Sequence, residues 1–126
     1  MADELLQVHR SYFSALWPVR TLPHALAHIT GGGLPGNLKR VLPADVDAVV
    51  EGGAWPVPAA FGVVERGGGV SAEEMRAVFN LGVGMIAVCA AGEVAAVRGA
   101  AREAGVETWE IGATVAGGGR VRWEAR

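Results

Sequence analysis

Apolar positions along the chain follow two rhythms, one helical and one alternating, and glycine or proline marks nearly every change between them. Tyr12, Phe13, Leu16 and Trp17 fall at helical spacing until Pro18, which predicts a short helix within Val8 to Leu16. Ala25 to Thr30 is a brief apolar run cut off by Gly31, Gly32 and Gly33, the pattern of a buried strand entering a glycine loop. Beyond the loop, Pro35 suits a first helical turn, Leu38, Val41 and Leu42 can share a buried face, and Pro43 ends the segment. That spacing predicts a stub of helix over Asn37 to Leu42. Val46 to Val50 is β-branched and alternates with Asp47, so it reads as a second strand, closed by Gly52 and Gly53.

Pro56 and Pro58 mark a stiff turn, after which Ala59 to Glu65 predicts a helix and Gly67 to Gly69 a break. Ser71 and Glu74 match a capping box, so another helix is expected from Ala72 to about Val78. Gly82 to Ala90 reads as the central strand. Glu93 to Ala104 carries Val94, Val97, Ala101 and Ala104 on one stripe, with Arg98 and Arg102 toward its negative end and Gly105 as terminator. Thr108 to Val115 and Arg120 to Glu124 then read as a hairpin across Gly117 to Gly119. Strands and helices are interleaved and close on a hairpin, which predicts an α+β class: a layered α/β/α domain with a mixed sheet of four to six strands.

Composition narrows the functional classes. With 126 residues, 51% of them hydrophobic, the chain suits one domain spanning 1–126 with one core. Eleven Lys and Arg against thirteen Asp and Glu give a formal net charge of -2, leaving no general basic field for nucleic acid or an anionic membrane. Cys89 is the single cysteine, so an internal disulfide is impossible and a reducing, cytoplasmic setting is expected. The start carries acids where a secretion signal has bases, and the Met85 to Ala91 run is far short of the roughly 20 apolar residues of a spanning helix.

The glycine loop is the most informative chemical feature, because main-chain amides free of side-chain obstruction can close around an anion such as phosphate. Gly31, Gly33 and Gly36 satisfy G-x-G-x-x-G, with Glu51 at about the distance of a ribose-binding acid. A dinucleotide fold conflicts with the short crossover before Pro43. A Walker loop fails because Asn37 stands where its lysine belongs. A tight strand-to-helix turn satisfies the same glycines without any ligand. His24 and His28 are spaced as a helical metal pair, yet on a strand they stand about 13 Å apart, so no metal site is expected. His28 alone, beside the loop, can hydrogen-bond a phosphate or move a proton, while His9 reads as a helix-surface residue. Asn80 to Met85 reads as a second close-approach loop through Gly82 and Gly84, or equally as a strand-entry bulge. Lys39 and Arg40 can reach an anion but also suit a solvated helix face, and Cys89 lies in an apolar run with no base beside it.

The string from His28 through Ile29, Thr30, the three glycines, Leu34, Pro35, Gly36 and Asn37 to Pro43 resembles the C-terminal domain of the phosphoribosylformylglycinamidine cyclo-ligase family, also called aminoimidazole ribonucleotide synthetases. Glu4 to Leu6, His9 to Tyr12, Trp55 to Pro58 with Phe61, Glu74 to Met85 and Trp109 to Gly112 are similar in the same order. Gln7 and Val8 depart from the family's usual Thr-Pro. The resemblance implies an ATP-dependent ring closure of formylglycinamidine ribonucleotide to aminoimidazole ribonucleotide in purine biosynthesis. It implies a missing N-terminal domain that carries most ATP and Mg2+ contacts and forms a homodimer. On that reading Met1 and Ala2 open a fragment cut in an interdomain strand, inactive by itself and holding no cofactor tightly. By resemblance His28, as a catalytic candidate, and Thr30, Gly31, Gly32 and Gly33 line the cleft, with Asn37, Asn80, Gly82 and Gly84 in support. The alternatives are a stand-alone phosphate or nucleotide module, or the corresponding domain of a thiamine monophosphate kinase or selenophosphate synthetase.

Overall fold

Among the described residues two small sheets, rather than one, carry five strands. The computed structural model describes residues 2–125, so Met1 lies outside it. In the first sheet, β1 (Ala25–His28) pairs antiparallel with β3 (Met85–Val88), Ala25 opposite Val88 and His28 opposite Met85. In the second, β2 (Val46–Gly52) lies between β4 (Gly112–Ala116), antiparallel to it, and β5 (Val121–Ala125), parallel to it. Around the sheets stand α1 (Ala2–Leu5), α2 (Phe13–Leu16), α3 (Gly33–Lys39), α4 (Ala59–Gly68), α5 (Ala72–Val78) and α6 (Val94–Glu103). The expected α+β class with a mixed sheet is present, its five strands divided two and three.

Local signals placed the helices well. Ser71 Oγ accepts from the Glu74 amide at 3.2 Å, the first half of the anticipated capping box, and α5 runs from Ala72 to Val78 as read. Gly105, at φ +73°, follows the end of α6, while Ala91–Glu93 forms a 3-10 turn leading into it. α4 extends past Glu65 through Gly67 and Gly68 and stops at Gly69, at φ +60°. The helix after the glycine loop starts inside the loop, at Gly33, and ends at Lys39, not at Asn37 to Leu42. Gly32 takes the left-handed conformation before it, and Pro35 occupies an early position where no amide is missed. Within Val8 to Leu16 helix forms only from Phe13, and the anticipated interdomain strand is instead the helical turn α1, with no buried residue.

The two larger departures concern pairing. Gly82 to Ala90 does not supply a central strand: Leu81 at φ +52° and Gly82 at φ +92° turn the chain, so β3 begins only at Met85 and has a single partner. Nor do the last two strands form a hairpin, since β2 lies between them and the strand expected from Thr108 begins at Gly112. The cause is Asp47. Its buried Oδ1 accepts the amides of Gly118 and Arg120, both at 2.8 Å, which folds the connection over β2. A Cβ on Gly117 would run into this carboxylate, so glycine is required there. The two amide bonds, from Arg120 and then Gly118, outweigh desolvation and hold the Asp47 carboxyl below its ordinary value, with help from the Arg122 and Arg120 guanidinium groups.

A depressed folded value means that Asp47 contributes stability above the unfolded carboxylate value of about 3.9, and that this contribution fades as pH falls through the folded value. Asp47→Asn is therefore expected to lower the urea midpoint at pH 7 and to show a shallower loss of stability than the parent below about pH 4. Parallel pH profiles for the two proteins would contradict this account.

Ile29, Leu34 and Val50 are the largest fully buried side chains, joining the end of β1, α3 and β2 in one core. Enclosing Leu34 completely stabilises the fold by about 2 kcal/mol relative to exposing it. Trp55 packs into the same core and donates its indole N–H to the Leu81 carbonyl at 2.9 Å, tying the positive-φ turn to the interior.

Candidate functional site

The C-terminal end of β1 and the N-terminal end of β3 lie side by side, so the loops leaving them share one edge of the molecule. The Ile29 amide continues the pairing to the Gly84 carbonyl at 2.9 Å. Gly31 and Gly32 are exposed, whereas Gly33 and Leu34 are buried. Successive positive φ values, +98° at Gly32 and +61° at Gly33, curl the backbone. A Cβ on Gly33 would strike the Arg76 carbonyl, so that glycine serves packing against α5, whereas a Cβ on Gly31 would meet open space.

Asn37 gives the loop its chemical polarity. Its buried side-chain amide nitrogen donates to the carbonyls of Thr30 and Gly31, each at 3.2 Å, and of Gly33 at 2.8 Å, while its oxygen accepts from the Thr30 hydroxyl at 3.4 Å. Three carbonyls on one side fix which way the amide points. Carbonyls are drawn inward, and among the described residues the amides of Gly31 and Gly32 have no acceptor. The result is a small donor surface facing solvent, suited to an anion. Because α3 has only seven residues, those individual amides matter more than a helix dipole.

The second loop is shaped largely by protein contacts. Asn80 Oδ1 accepts from the Gly82 amide at 3.0 Å, holding the turn that places Leu81 at positive φ. Space beside Gly82 is taken by Pro58, and space beside Gly84 by the Tyr12 hydroxyl. Both glycines thus meet close approaches by this chain's own side chains, which bring Tyr12 and the proline turn to the rim.

His28, last in β1, is exposed, and its Nε2 lies 2.9 Å from Nε2 of His9. His9 is not on a helix, contrary to the sequence reading; it lies in the irregular segment before α2, edge-on to Tyr12 at 6.0 Å. No spacing rule reports this pair, because its members are 19 positions apart with a helix, a 3-10 turn and most of β1 intervening. His24 sits at the other end of β1, its amide bonded to Val88, and does not join them. Lys39 and Arg40 lie at the far end of α3 from Gly31 and Gly32. Glu51 is on β2, which belongs to a different sheet from β1, so the adjacent parallel strands of a dinucleotide site are not formed. Cys89 is half-buried; desolvation, followed by Glu93 and Glu110, pushes its thiol upward and away from nucleophilic thiolate. Among the described residues no three His, Cys, Asp or Glu side chains gather as a metal site, and no helix is long and apolar enough to cross a membrane.

The family described as AIR synthase related protein, C-terminal domain, matches residues 1–124. The chain belongs to this family. Among similar relatives of this AIR synthase related domain is the phosphoribosylformylglycinamidine cyclo-ligase of Anaeromyxobacter dehalogenans strain 2CP-C, 48% identical over 124 residues, covering 94% of this chain and 35% of that protein. The protein of the same name from Thermosynechococcus vestitus is 44% identical over 98 residues, covering 78% of this chain and 29% of its own length. The chain thus spans about a third of the length of the curated relatives it matches. A thiamine-monophosphate kinase structure from Stenotrophomonas maltophilia superposes with a TM-score of 0.60 at 20% identity, covering 84% of this chain and 33% of that one, which shows a shared fold. The family resemblance carried by the motifs at 28–43 and 74–85 is therefore confirmed, and the strand pairing of His28 with Met85 joins the start of the one to the end of the other.

Proposed function

We propose that this domain is the C-terminal part of a phosphoribosylformylglycinamidine cyclo-ligase and closes one side of its active site. The observation that carries the reading is the pair of outward amides at Gly31 and Gly32, braced by Asn37, in a chain 48% identical to a protein of that name. The amides hold a phosphate of the ribonucleotide substrate or of the nucleotide, and Thr30 and Gly33 shape the grip. Asn80, Gly82 and Gly84 form the opposite lip. His28 stands at the mouth with a polar imidazole able to orient the ligand or move a proton.

In that reaction ATP, when bound, supplies the phosphoryl group that turns the amide oxygen of formylglycinamidine ribonucleotide into a leaving group. An internal nitrogen then closes the ring to aminoimidazole ribonucleotide, with ADP and phosphate released. The loop fits a phosphate oxygen by its donors. It does not fit Mg2+, since no carboxylate cluster faces it among the described residues. Magnesium, most ATP contacts and the homodimer contact are assigned to an N-terminal domain, and the setting to the cytoplasm.

The test grafts this chain in place of the matching C-terminal part of the Anaeromyxobacter dehalogenans relative. Substrate-dependent ADP release by the graft, with none from the isolated chain, is expected. A folded but inactive graft, or turnover by the isolated chain, contradicts the proposal.

A further inference from the structure

We propose that His9 and His28 form a two-imidazole clip for a borderline transition-metal cation, of the Zn2+, Ni2+ or Cu2+ class, which fastens the segment before α2 to the end of β1. The inference is independent of the cyclisation reading.

The geometry is set by parts of the fold that do not depend on a ligand. His28 is held by strand pairing opposite Met85. His9 is held edge-on to Tyr12, whose hydroxyl is in turn packed over Gly84 on the neighbouring strand's entry. Their Nε2 atoms stand 2.9 Å apart. Two nitrogens each about 2.1 Å from one ion are separated by about 3.0 Å at the right angle usual for nickel and copper, and by about 3.4 Å at the tetrahedral angle of zinc, so zinc requires the rings to part by a few tenths of an ångström. The ring planes cross at 66° with centroids 4.8 Å apart, so the rings meet at their Nε2 atoms and are not stacked, and rotation about their side-chain bonds turns both nitrogens to one ion. In the metal-free pair one Nε2 carries a hydrogen and donates it to the other. When the ion binds, that ring carries its hydrogen on Nδ1 instead, and both Nε2 lone pairs turn to the metal.

The donor set also selects the ion. Two neutral imidazoles with no carboxylate in a cluster suit zinc, nickel or copper and give Mg2+ or Ca2+ little to bind. Both histidines are exposed, so water fills the remaining coordination positions and the ion reaches the pair from solvent. With two protein ligands the clip is reversible. It acts where the segment before α2 meets the sheet, joining residues 19 apart in sequence.

The test titrates Zn2+ and Ni2+ separately into the untagged 126-residue chain by calorimetry and follows amide hydrogen exchange over residues 6–12. One ion per chain is expected, with exchange over those residues slowed by Zn2+. His9→Ala and His28→Gln should each weaken binding at least tenfold and remove the protection, while His24→Ala leaves both unchanged. His9→Asn serves as the second variant if His9→Ala folds poorly, judged by its melting curve without metal. Retention of parental affinity by the His9 and His28 variants, equal loss in His24→Ala, or heat without added protection over residues 6–12 would overturn the clip.

Discussion

Replacing Asn37 by aspartate, a change of one atom in shape, is expected to destabilise the domain by about 3 to 5 kcal/mol. The amide nitrogen of Asn37 faces the carbonyls of Thr30, Gly31 and Gly33, and the residue is 5% exposed. A carboxylate there presents lone pairs to lone pairs and brings a charge into a buried site with no cation among its hydrogen-bond partners. Against a total stability of about 5 to 15 kcal/mol this is a large fraction. Urea unfolding at pH 7 measures it. The deficit relative to the parent should narrow as pH falls, because a protonated carboxyl regains one donor. A variant as stable as the parent at pH 7 would mean that the side chain does not clasp the loop as described.

The opposite outcome is expected at Gly31→Asp. Its Cβ enters open space and Gly31 lacks the positive φ of its two successors, so folding should change by no more than about 0.5 kcal/mol. Function should suffer heavily, because a carboxylate beside the free amides repels the anion they are proposed to hold. In the grafted enzyme a loss of about 100-fold or more in kcat/KM is expected, near 2.7 kcal/mol of transition-state stabilisation. Unaltered kcat/KM with a folded variant would remove the loop from ligand binding. Together the substitutions separate the residue that builds the loop from the one that meets its ligand.

Much of this arrangement was legible along the chain because its causes act over a few residues. The Ser71 and Glu74 spacing specified the start of α5, the apolar stripe through Val97 and Ala101 specified α6, and the run before Gly31 specified β1. The glycine loop and the family were legible for the same reason, since contiguous strings carry them. Less was legible where one residue type serves two ends. Gly33 reads like Gly31 in sequence, yet one is needed for contact with Arg76 and the other faces open space. Gly82 and Gly84 read equally as a close-approach loop or a strand-entry bulge, and only the packed fold puts Pro58 and Tyr12 where their Cβ atoms would stand.

By itself, then, the sequence determined the helices with local caps, the α+β class, the family and the position of the glycine loop, because turn chemistry and side-chain periodicity are settled between near neighbours. Only the tertiary structure decided that β2 divides the last two strands, that Asn37 turns the loop's carbonyls inward, and that His9 meets His28. The first of these depends on a carboxylate bonding amides 71 and 73 residues away, and no local spacing encodes contacts made only after distant segments have packed.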